Sequence, residues 1–65
     1  MKPLTDKELE ALTLARQGNS QGMSCYKLGI SQSAYKQRIN SARAKLEARN
    51  IAQAVAEAII KGYIK

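Results

Sequence analysis

Lys36, Gln37 and Asn40 stand at positions i, i+1 and i+4 of one polar segment, and they are the side chains in this sequence best suited to chemistry. An ammonium group donates hydrogen bonds, and a carboxamide both donates and accepts. Such a set suits recognition of a patterned array of donors and acceptors, with no covalent step. Around it in the sequence lie Ser20, Lys27, Ser33, Arg38, Arg43 and Lys45, the hydroxyls and cations that hold anionic oxygens. Covalent and metal chemistry find little support. The chain has no His and a single cysteine, Cys25, which has no base partner and no second thiol for an intramolecular disulfide. One thiol is also too few for a zinc site. No glycine-rich phosphate loop occurs, and Asp6, Glu8 and Glu10 gather at one helix start. No catalytic residue, metal or cofactor is expected. Cys25 reads as a packing residue, with redox sensing as the alternative.

The charge is distributed unevenly. Of a formal net charge of +6, five units arise between Met23 and Asn50, where Lys27, Lys36, Arg38, Arg43, Lys45 and Arg49 face only Glu47. Before that stretch three basic residues balance three acidic ones, and after it two basic residues face one acidic. A concentrated electropositive surface suits a phosphate backbone. An ordinary solvated helix face is the alternative.

Elements must hold these groups in place. At 65 residues there is room for one domain, and a composition 45% hydrophobic, with no Trp, no Phe and three Tyr, calls for an aliphatic core of helices packed on helices. With neither disulfide nor metal to staple it, oligomerisation is the expected extra support. Four helices emerge. Thr5 caps the first, after Pro3, with Glu8 completing a capping box, and Gly18 ends it. Its inner stripe is Ala11, Leu12 and Ala15 with Leu14 at the margin, which leaves Leu9 exposed. Ser20 caps a short second helix ending near Leu28, and Gly29 supplies the permissive backbone for a tight turn.

Ser31 caps the third helix, where Tyr35, Ile39, Ala42 and Leu46 recur at spacings of four, three and four and share one face. The opposite face carries Ser33, Lys36, Gln37 and Asn40, flanked by Arg38 and Lys45 on one side and Arg43 on the other. A short helix, a glycine turn and a polar-faced helix form the bihelical unit that presents its second helix to the DNA major groove. There Lys donates to guanine O6 and N7, Gln and Asn bond adenine bidentately, and the flanking cations and hydroxyls hold phosphates.

Asn50 caps a fourth helix that runs to about Lys61 and stops at Gly62. Ile51, Val55, Ala58 and Ile59 define its inward stripe, yet Ala52, Ala56, Ile60 and Tyr63 are apolar and point elsewhere. A helix apolar on two faces needs two partners, and the same helix of a second subunit provides one by self-complementary contact. The alternative is that Ile60 and Tyr63 wrap the core. The stretch from Ile51 to Ile60 is interrupted by Gln53 and Glu57 and falls far short of the roughly 20 residues a spanning helix needs. The first ten residues mix charged and apolar types, unlike a signal peptide, so a cytoplasmic location with no membrane partner is expected.

In register along nearly the whole chain, these residues resemble the DNA-binding output domain of LuxR/GerE-type transcriptional regulators. Leu4, Thr5, Glu8, Glu10, Leu12, Leu14 and Gly18 correspond to the family's first helix. Leu28, Gly29, Ile30 and Ser31 stand at its turn, Lys36 at the Lys of its Thr-Val-Lys signature, and Lys45 and Leu46 at its Lys-Leu pair. Asn50, Ala54, Val55, Ala58, Gly62 and Ile64 follow at the family spacing. The resemblance implies an all-α, four-helix helix-turn-helix domain over residues 1–65, with the helix-turn-helix unit at about 20–48 and a dimerisation helix at about 51–61. It also implies base reading by Lys36, Gln37 and Asn40, and a homodimer through the face of Ala52, Ala56, Ile60 and Tyr63.

Departures gather in the helix-turn-helix unit. Gly22, Met23, Ser24 and Cys25 replace the family's Lys-Glu-Ile-Ala, so Ser24 sits where an apolar residue is expected and the second helix is expected to be shifted or frayed. Ala34 and Tyr35 replace Thr and Val, Arg38 replaces a common His, and Ile51 replaces an Arg. The function expected is a sequence-specific, homodimeric transcriptional regulator on double-stranded DNA, of bacterial or phage type. The alternative is a small interaction module that captures a larger regulator of the same family or RNA polymerase, resting on an exposed Leu9, the apolar last helix and the unusual second helix.

Overall fold

Thr5 starts the first helix by satisfying backbone donors that the helix itself leaves unpaired. Its Oγ1 accepts from the Glu8 N–H at 3.2 Å, while the Glu8 carboxylate accepts from the Thr5 N–H at 2.8 Å, which is the expected capping box. The computed structural model describes residues 4–65. Pro3, expected to precede the cap, lies outside the described residues. Four helices follow: α1 (Asp6–Arg16), α2 (Gln21–Leu28), α3 (Gln32–Lys45) and α4 (Ile51–Ile60), with no strand among the described residues. Ser20, Ser31 and Asn50 cap α2, α3 and α4 through side-chain oxygens, as their types predict.

All four helices end alike. A residue of positive φ closes each, Gly29 as the C-terminal cap itself and Gly18, Glu47 and Gly62 just past it, and two backbone hydrogen bonds fold back onto the last turn. At the α2–α3 connection this residue is Gly29, with φ 66°, and the whole link is the three residues 29–31.

The arrangement is built on α1, which packs against each of the other three helices. That placement overturns the expectation that Leu9 is exposed. The buried arc of α1 takes in Leu9 with Leu12 and Ala11 and leaves Ala15 half-buried. The α3 face forms as its periodicity predicts, with Tyr35, Ile39, Ala42 and Leu46 all buried. Tyr35 spans to α1, its hydroxyl donating to the Ala11 carbonyl at 3.5 Å.

The inward stripe of α4 needs a second correction. Ala54 and Ala58 are the fully buried residues and Val55 is half-buried, while Ile51 and Ile59 are each 41% exposed. Alanines four apart let the helix axes approach closely, and a larger side chain at either position would hold them apart. The isoleucines are thereby displaced to the flanks. The second helix is also firmer than its Gly22 suggested. It runs unbroken from Gln21 to Leu28, because Gly22 is exposed in open space and Ser24 turns inward to full burial.

Candidate nucleic-acid interface

The residues expected to read bases lie where the α3 periodicity puts them. Ser33, Lys36, Gln37 and Asn40 are all exposed, opposite the buried face of Tyr35, Ile39, Ala42 and Leu46. The side chains of Lys36 and Gln37 make no hydrogen bond among the described residues and are free to meet a ligand. Asn40 is engaged: Arg43 Nη1 donates to its Oδ1 at 3.3 Å. Lys36, Asn40 and Arg43 also line a small cleft whose apolar wall is Tyr35, Ile39 and Ile51.

The N-termini of α2 and α3 are drawn together beside this face, where Gln21 Nε2 donates to Gln32 Oε1 at 3.3 Å. Neither helix has an acidic residue in its first turn, in contrast to α1 with Asp6 and Glu8. The positive ends of both helix dipoles are thus left without a neutralising carboxylate. Ser20 and Ser33 stand at these ends, Ser20 with its Oγ accepting from the Met23 N–H at 3.2 Å and Ser33 exposed.

The flanking cations differ in freedom. Lys27 is exposed, its Nζ donating to Asn19 Oδ1 at 2.9 Å, and Arg38 is half-buried with no hydrogen bond among the described residues. Arg43 is half-buried, and its Nη2 donates to the Arg49 carbonyl in the turn before α4. Lys45 forms the one ion pair among the described residues, with Nζ 2.9 Å from Glu8 Oε1. Glu8 is only 5% exposed. Burial alone would raise its pKa, but the nearby Ser41 hydroxyl, the hydrogen bonds from Lys45 and the Thr5 N–H, and the Lys45 charge outweigh that cost and hold it at about 2. Sequence reasoning placed Glu8 in the cap but missed this second partner. The signal was an acid on the packed side of α1, which burial obliges to find a cation.

The expected dimer residues separate into two groups. Ala52, Ala56 and Ile60 are exposed on the outer side of α4, Ile60 at 77%, and Ile59 extends that apolar surface. Tyr63 instead packs half-buried against the core. Two further exposed apolar side chains, Met23 and Tyr26, lie on α2 at i, i+3 spacing, a pattern legible in the sequence. Cys25 is buried, its thiol 3.7 Å from the Ser31 carbonyl. No group of His, Cys, Asp or Glu among the described residues could hold a metal ion, and no helix is long and apolar enough to cross a membrane. No protein-family model matches the chain, and no curated protein matches it.

Proposed function

We propose that the protein is a helix-turn-helix DNA-binding protein of LuxR/GerE type that regulates transcription in the cytoplasm as a homodimer. The observation that carries this reading is the outer face of α3. Lys36, Gln37 and Asn40 are exposed there without an acidic neighbour, beside two paired helix N-termini that no carboxylate neutralises. In this reading α3 enters the major groove, with those three side chains at base edges. Ser20, Ser33, Lys27 and Arg38 hold phosphates on either side, while Arg43 and Lys45 contribute through the field of charges already tied to the protein. Ala52, Ala56 and Ile60 supply the self-complementary surface that sets two α3 helices one DNA turn apart.

Capture of a larger regulator or of RNA polymerase is the second reading. It loses the support of Leu9, which is in the core, but gains Tyr26, 83% exposed beside Met23 on α2.

Titration of duplex DNA against the protein at roughly 50 and 200 mM salt tests the proposal, since phosphate contacts release counterions and make affinity fall steeply. Lys36→Ala is expected to cost about 1–3 kcal/mol on a selected site and to relax preference at one base pair. Affinity indifferent to salt, or a Lys36→Ala variant equal to the parent, would favour the protein-capture reading.

A further inference from the structure

The side chain of Arg43 ties the base-reading face to α4. One end of its guanidinium donates to the Asn40 carbonyl oxygen at 3.3 Å, and the other donates to the Arg49 backbone carbonyl. Arg49 is itself fixed, since its N–H donates to Gln53 Oε1 at 2.9 Å in the first turn of α4. The arginine is half-buried and its Nε is fully enclosed. It therefore bridges Asn40 and the segment leading into α4, with its Nε enclosed and both of its hydrogen bonds at the exposed surface.

A guanidinium has donors and no acceptor, so the atom of Asn40 facing it must be the oxygen. The Asn40 amide nitrogen is then the atom left to reach outward. A bidentate contact with adenine needs the oxygen and nitrogen turned together to the base, one accepting from N6 and the other donating to N7. Arg43 takes one of the oxygen's two lone pairs and draws the oxygen to its own side, which disfavours a pose that turns oxygen and nitrogen together to one base. Guanine offers two acceptors side by side, O6 and N7, and adenine sets a donor beside its single acceptor. Lys36, one helical turn earlier on the same exposed face, is also a donor only.

We infer that Arg43 is a specificity-determining positioning residue: it turns Asn40 into a hydrogen-bond donor, so that this position of the recognition helix selects guanine over adenine. The inference rests on the DNA-binding reading of α3 and revises the adenine contact that the residue type alone suggests for Asn40. Gln37, whose amide has no such tether, keeps both of its hydrogen-bonding options.

The test is selection from a random duplex library by the wild type, Asn40→Ala and Arg43→Met, with side-chain amide ¹⁵N relaxation on the free proteins. Asn40→Ala marks the base pair concerned, and the wild type is expected to retain guanine there. Arg43→Met should lower the guanine-to-adenine ratio at that base pair about tenfold and leave the others unchanged, whereas a mere loss of charge weakens all sequences alike. In the free protein the Asn40 amide should be more ordered than that of Gln37, and should match it in Arg43→Met. Adenine at the marked position in the wild type would overturn the inference even were Arg43→Met unfolded, as would a folded Arg43→Met with an unaltered profile. So would an Asn40 amide as mobile as that of Gln37. A wild type that enriches nothing would instead strike the DNA-binding reading, with the relaxation measurement still deciding whether the bridge exists.

Discussion

Ser24 is fully buried in α2, and its hydroxyl has no hydrogen-bond partner among the described residues. A buried hydroxyl left unpaired carries the desolvation cost of a polar group with none of the return, so Ser24→Ala is expected to stabilise the fold by about 1 kcal/mol. In a domain of this size that raises the melting temperature by roughly 5 °C, and a thermal melt followed by circular dichroism reads it. An unchanged or lower melting temperature would mean that the hydroxyl has a partner. At this scale the sequence was informative wherever one face decided a residue's place. Lys36, Gln37 and Asn40 are exposed and Tyr35, Ile39, Ala42 and Leu46 buried because α3 turns one face to the core it shares with its neighbours. Pairings that cross the fold were beyond it. The Glu8–Lys45 bridge, 37 positions apart, does not follow from either residue's own type.

Among the helices, α3 has the most conspicuous terminus. It ends on Glu47 at φ 55°, where the other three helices have glycine. A side chain in the left-handed region costs about 1–2 kcal/mol, so Glu47→Gly should stabilise by about 1 kcal/mol once the greater freedom of the unfolded glycine is deducted. A higher denaturation midpoint with unchanged slope would show it; a lower midpoint would contradict it.

The junction of α1 and α3 predicts a pH response. Glu8 has a folded pKa of about 2 against an ordinary 4.5, so its contribution to stability is complete above about pH 4.5 and is lost as the pH falls toward 2. Lys45→Gln leaves the burial of Glu8 and removes its cation, which should move acid unfolding to higher pH. Melts at pH 7, 4 and 2.5 on both proteins check this, and coincident acid limbs would refute it. Capping residues and glycine stops made the helices legible, since both are local chemistry. The sides that α1 and α4 bury were misjudged, at Leu9 and at Ile51 and Ile59, because the number and closeness of neighbours are properties of the assembled fold.

For the molecule as a whole, one face is positively charged and another apolar. Lys36 and Arg43 stand together at the outer side of α3, while Ala52, Ala56, Ile59 and Ile60 leave α4 without cover. The first suits a polyanion and the second a copy of itself, and a homodimeric DNA reader uses both at once. Net charge and an all-helical core were evident from composition, and the resemblance supplied the link between them. The measurement that tests this account most directly is sequence selection from a random duplex library by the wild type and by Ile60→Asp. The account predicts that the wild type enriches a palindrome whose half-sites are about 10 bp apart, and that Ile60→Asp retains at most a single half-site at weaker affinity. Enrichment of no sequence by the wild type, or an Ile60→Asp variant that selects the same palindrome equally well, would contradict it.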